Sequence, residues 1–228
     1  MTELWQGVVR AVELIVALDP EVMEIAGRSL ALAATSCGIA SLVCLPLGSL
    51  IHFNSFRGKR FLVNLIQTFY SIPTVAIGLF VFVFLSRVGP LGELGLMFTP
   101  AAIVIGQMLL VTPIILGLTI SALRGVDKAL PETAISLGAD RVQAAVLTIR
   151  EARFAILTAV IMGFGRAISE VGLSLMVGGN IKGFTRTITT AISLETSKGD
   201  IELSIALGII LISLALVINI ALNRLQQR

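Results

Sequence analysis

The stretch PAAIVIGQMLLVTPIILGLTISAL, Pro100 to Leu123, carries no charged side chain. A helix needs about 20 largely apolar residues to cross roughly 30 Å of hydrocarbon, so this segment is long enough to span a bilayer. Ser29 to Ile51, Phe61 to Leu85 and Leu203 to Leu222 are equally free of charge. Phe154 to Gly179 is a fifth such run, interrupted only by Arg166 and Glu170. The whole chain, 228 residues, is 56% apolar and 14% charged, whereas a soluble domain has about 45–50% and about 25%. A water-exposed globule with so few charges would show large apolar patches. The expected class is therefore an all-α integral membrane protein with five transmembrane helices.

Leu4 to Leu18 is shorter and holds Arg10 and Glu13, which suits a helix lying in the interface with Trp5 at headgroup depth. The start Met1-Thr2-Glu3-Leu4-Trp5 has neither the basic opening nor the small-residue cleavage site of a secretory signal, so the spans themselves are expected to direct insertion. The organisation predicted is an N-terminal interfacial segment, 1–28, followed by a single membrane domain, 29–228. With the N-terminus outside, ten basic residues fall on the inner side, among them the Arg57, Lys59, Arg60 cluster, and six on the outer side. This excess predicts N-out, C-in. Because the 17 basic residues lie between apolar blocks and not in one patch, a nucleic-acid partner is not expected.

Other chemistries are poorly supplied. Cys37 and Cys44 lie two turns apart on one helical face, too far for a disulfide, and are expected to pack. His52 is the only histidine, so no metal site is predicted. The chain has no Gly-x4-Gly-Lys-Ser/Thr loop, and Gly89-Pro90-Leu91-Gly92 reads as a turn. No catalytic residues and no cofactor are predicted; if ATP drives this protein, another polypeptide must hydrolyse it. Gly163 and Ala167 form a smooth strip where another helix can approach closely.

The inner loop between the third and fourth spans, about 124–153, mixes charges of both signs. Pro131 suits a first helical position, Glu132 the positive end of the dipole, and Gly138 a C-terminal stop. Leu130, Ala134 and Leu137 then share one apolar face. Periodicity leaves two uses for it: entry into a groove on a partner, or packing on the chain's own membrane domain.

Glu132-Thr133-Ala134, Gly138 and Ile149 resemble the Glu-Ala-Ala…Gly…Ile-x-Leu-Pro signature of ABC importer permeases, with Thr133 for the first alanine and Glu151-Ala152 for the final Leu-Pro. Leu45-Pro46-Leu47-Gly48 and Ser71-Ile72-Pro73-Thr74 stand in the order of a five-span type I importer permease. Gly165-Arg166-Ala167-Ile168-Ser169-Glu170-Val171-Gly172, then Gly178-Gly179-Asn180-Ile181, is similar to the oxyanion branch for molybdate, tungstate and sulfate. Thr185 to Ile192 is most similar to tungstate-uptake permeases. The resemblance implies a cytoplasmic-membrane permease working as a homodimer with a pair of ATP-binding subunits and an extracytoplasmic oxyanion-binding protein. Tungstate is the expected cargo, with molybdate, sulfate or phosphate as the alternatives. It also implies that Glu132, Thr133, Ala134, Leu137, Gly138, Ala139 and Asp140 belong to a coupling helix. A non-transport membrane scaffold or an intramembrane enzyme is the reading from another class, and an enzyme would need more ionisable groups in the spans than Arg166 and Glu170 provide.

At about 1.5 Å per residue, Arg166 lies roughly 18 Å beyond Phe154, near mid-membrane. An ionisable group at that depth faces protein or a wet cavity and pairs; Glu170 is one turn away. Two roles stay open, an internal ion pair or positive potential along an anion pathway. Gly178, Gly179 and Asn180, with Arg186 and the nearby threonines, suit either helix capping or an outer mouth that presents amides, hydroxyls and a cation to an anion.

Overall fold

A computed structural model describes the backbone of residues 2–226 and the side chains of 4–220 and 224. The side chains of Thr2, Glu3 and Leu222, together with Met1 and Arg228, used above to read the termini, lie outside the described residues. Every regular element among the described residues is helical.

Helix α1, Thr2–Val16, packs against the last helix, α11, Ile201–Gln226. Ala11 and Leu14 are buried there beside Ala206, Leu207 and Ile210. Helix α2, Pro20–Phe53, is one continuous rod. It starts nine residues before Ser29, so residue 28 lies within a helix. Asp19 accepts the Val22 N–H at 3.0 Å, and Pro20 opens the first turn, where a missing N–H has no consequence.

The second apolar run does not form a straight span. It divides into α3, Lys59–Thr68, a 3-10 turn over Phe69–Ser71, and α4, Thr74–Leu85, with a 97° bend between them. Pro73 supplies no N–H and holds Ile72 in an extended conformation, so the helix cannot continue through it. Helix α5, Pro100–Arg124, runs unbroken despite Pro113. It is the most enclosed span and packs on α2, α3, α4, α8 and α9.

The loop that follows holds two helices. Helix α6, Ala129–Ser136, begins two residues earlier than expected, with Pro131 third in the helix and the Asp127 carboxylate accepting from Ala129 N–H. Proline is tolerated anywhere in that first turn, whose amides have no intrahelical partner. Helix α7, Arg141–Glu151, was not expected. Asp140 and Gln143 form its capping box, a short local signal.

The fourth span also bends. Helix α8, Arg153–Ile168, and α9, Gly172–Gly178, meet at 61°. Helix α10, Ile188–Lys198, leads to α11. By length and composition α2, α5 and α11 can each cross a membrane, and five crossings result when each bent pair counts as one.

Close backbone approach sets the core. A Cβ at Gly163 would meet Ile115 and Cys37, so the smooth strip on α8 is used against α5 and α2. Cys37 and Cys44 are buried thiols directed at the Val160 and Thr112 carbonyls.

Candidate functional site

Two polar regions stand out, the α8–α9 elbow and the α6 surface. At the elbow, Arg166 donates from Nη1 to Glu170 Oε2 at 3.1 Å. The pair is unevenly exposed, the Arg166 side chain at 34% and the Glu170 side chain at 3%. Glu170 also caps the next helix, because its Oε1 accepts the Leu173 N–H at 3.0 Å, taking one of the orphan amides at the start of α9. A buried carboxylate that lies against a cation and a helix N-terminus is compensated on both oxygens.

The elbow is tied to three further elements. Thr189 donates its hydroxyl to the Glu170 carbonyl at 2.8 Å. Gln107 of α5 donates to the Ala167 carbonyl at 3.1 Å and accepts from Ser36 of α2 at 2.9 Å. The Ala167 carbonyl faces a break in the helix, and Gln107 meets part of the resulting hydrogen-bond demand. Gln107 was missed because it is uncharged and sits alone in an apolar run; a buried amide in a span was the only signal available.

Exposed faces of the spans differ in composition. On α4 and α11 they consist of large apolar groups such as Leu79, Phe80, Ile212 and Leu216. On the C-terminal half of α2 they are Leu42, Val43 and Leu47. Along α8 the exposed residues include Ala155, Thr158, Met162, Gly165 and Ser169, with the partly open Arg166 beside them. The N-terminal half of α2 exposes Gly27, Ala31, Ala34, Thr35 and Gly38. Lipid chains favour the first kind of surface; small and polar faces suit close helix contact or a wet cavity. Among the described residues, Arg166 Nη2 and Nε have no hydrogen-bond partner.

Gly178, Gly179 and Asn180 end α9. Gly179, at φ 71°, is the left-handed C-cap, and Asn180 follows at φ 51°. A side chain at Gly178 would collide with Ile103. Asn180 donates to the Thr190 carbonyl at 3.3 Å. Thr187 and Thr190 form the buried capping box of α10, while Thr185 ties Ile181 N–H to this turn. Arg186 is largely buried, 3.8 Å from Glu21, and its carbonyl accepts from Arg28. The α10 cap adjoins the elbow, because Thr187 is hydrogen-bonded to Thr189, whose hydroxyl reaches the Glu170 carbonyl.

In α6, Glu132, Thr133 and Leu137 are exposed, Leu137 to 84%, whereas Ala134 and Ala139 are half-buried. Leu130 also is half-buried, so the expected Leu130, Ala134, Leu137 face is split: its first part rests on the chain and Leu137 projects outward beside Ile135. Gly138 has φ 94°, and Ala139 N–H returns to the Ala134 carbonyl at 3.0 Å. This left-handed stop suits glycine. Asp140 caps α7 through Gln143 N–H.

Residues 44–228 match the family described as binding-protein-dependent transport system inner membrane component. The chain belongs to that family. It is a multi-helix membrane permease of this transport class. It is 40% identical over 227 residues to the tungstate uptake system permease protein of Peptoclostridium acidaminophilum, covering 100% of both chains. A tungstate uptake system permease protein of Campylobacter jejuni is 37% identical, over 98% of this chain and 94% of its own. Among solved structures, the inward-facing MetNI methionine ABC transporter matches with a TM-score of 0.74 at 17% identity, covering 92% of this chain and 97% of that chain. At that identity the likeness bears on fold alone.

Proposed function

We propose that the chain is the permease subunit of an ATP-driven importer that carries tungstate across the cytoplasmic membrane by alternating access. Identity of 37–40% across essentially whole chains to two proteins named as tungstate uptake permeases carries this reading. Two copies of the chain form the pore, with the small and polar faces of α8 and the N-terminal half of α2 turned away from lipid. Two ATP-binding subunits grip the exposed side of α6 around Glu132, Thr133 and Leu137, with Gly138 ending the helix at the grip. An extracytoplasmic binding protein delivers the oxyanion to the outer end near Gly178 and Arg186. The N-terminus lies outside and the C-terminus inside.

Within the pore, Arg166 supplies positive potential beside the path. One guanidinium nitrogen holds Glu170 and the others remain for a passing anion. A divalent anion bound tightly inside the membrane would leave slowly, so one partly neutralised cation suits passage better than a deep site. Tungsten accumulation by cells lacking the gene, with and without the gene restored, tests the assignment. Restored tungsten uptake that excess molybdate does not suppress is expected; uptake that molybdate or sulfate abolishes would reassign the cargo.

A further inference from the structure

The start of α3 and the end of α5 carry a cationic pocket. Its volume is about 430 Å³, and Lys59, Arg60 and Arg124 line it together with Phe56 and the α2–α3 loop. Arg57 adjoins it in the same loop. None of its lining residues is acidic. Lys59 Nζ donates to the His52 and Asn54 carbonyls at 2.6 and 3.0 Å, which fixes the loop. Among the described residues, Arg57, Arg60 and Arg124 make no side-chain hydrogen bond or ion pair. Around them Phe53, Phe56 and Phe61 are exposed, the composition of a membrane boundary.

A second cavity lies farther along the same two helices. It measures about 390 Å³ and is almost wholly apolar, bounded by Ile66 and Phe69 on the α3 side, Phe80 of α4, and Leu109, Pro113 and Leu116 of α5. It lies at the 97° elbow, with Ile72 of the bend and Ile77 of α4 completing its wall. Arg60 to Ile66 is six residues and Arg124 to Leu116 is eight, which places the two cavities about 9–12 Å apart along the helices. The hydrocarbon half-thickness is about 15 Å. If the arginines sit at headgroup level, the apolar cavity therefore lies within the hydrocarbon.

We infer that this corner binds one anionic phospholipid, the phosphodiester at Arg57, Arg60 and Arg124 and an acyl chain in the elbow cavity. Each cation near an anionic headgroup contributes about 1 kcal/mol, and the guanidinium fork matches phosphate oxygens. Neither cavity alone defines the ligand: a free anion needs no tail cavity, and a neutral lipid gains nothing from three unpaired arginines.

The test is native mass spectrometry of the full chain in mild detergent, offered palmitoyl-oleoyl phosphatidylglycerol or the matching phosphatidylcholine. Retention of the anionic lipid at least about tenfold above the neutral one is expected. Combined Arg57→Gln, Arg60→Gln and Arg124→Gln, all at exposed positions, should remove the preference, with the melting temperature as the folding control. Leu109→Trp, at the exposed rim of the apolar cavity, should lower retention of phosphatidylglycerol with the arginines intact. Equal retention of the two lipids by the unaltered chain overturns the inference, as does unchanged preference in the triple variant. Displacement of the lipid by soluble glycerol phosphate would show a free-phosphate site and also overturn it. Loss of copurifying subunits from the triple variant, with lipid retention intact, would make the patch a protein interface and have the same force.

Discussion

Two elbows break the spans of this permease, and they are built differently. Between α3 and α4 the chain turns by 97° at Pro73, and no side chain caps the new helix. Between α8 and α9 it turns by 61° without a proline, and Glu170, Gln107 and Thr189 satisfy the groups around the break. The first elbow follows from a donor that is absent, whereas the second depends on polar groups drawn from four helices and the segments between them. Removal of a single polar side chain should therefore cost little at the proline elbow and more at the polar one.

The largest expected effect is at Glu170. Glu170→Ala removes the α9 cap and the partner of Arg166 together, and a loss of about 3 kcal/mol is expected, the low end for breaking a buried pair because the arginine side is partly open. Thermal unfolding in detergent checks it, and an unchanged melting temperature would break the contrast between the elbows. Arg166→Met keeps the cap. It is expected to cut tungstate uptake by about tenfold, equivalent to 1.4 kcal/mol, with the chain still folded; full uptake and unchanged stability would leave Arg166 neither role. For Gln107→Leu, which deprives the Ala167 carbonyl of a buried donor, the expected cost is about 1–3 kcal/mol, read by the same melt. Pro73→Ala should have the smallest effect, within about 1 kcal/mol, because no polar group loses a partner there. A cost above that of Gln107→Leu would invert the comparison.

The difference also explains what could be read from the sequence. Uncharged runs gave the spans and Pro73 gave a visible reason for one break, although the angle depends on packing: any side chain at Gly117 would collide with Tyr70. Nothing in Ser169-Glu170-Val171-Gly172 marks a helix end as proline does. The i,i+4 spacing of Arg166 and Glu170 correctly suggested a pair, but it also suggested a helix running on through Glu170, and the capping role depends on the helix stopping there. Gly138 was legible as a stop because its positive φ excludes most other residues. The only local mark of helix α7 is the Asp140 and Gln143 capping box, which the mixed charges of the 124–153 loop obscure. The splitting of the α6 face, with Leu130 inward and Leu137 outward, depends on tertiary packing that periodicity does not contain.

The exposed end of α6 is where the account is most directly testable. A single cysteine at Leu137, introduced after Cys37 and Cys44 are changed to serine, can be labelled with a membrane-impermeant maleimide in intact cells and in inverted vesicles. Labelling only in inverted vesicles, blocked when the ATP-binding subunits are bound, is the result expected of a cytoplasmic lever. Labelling of Leu137→Cys from outside intact cells would put the lever beyond the reach of any ATP-driven motor and contradict the proposed mechanism.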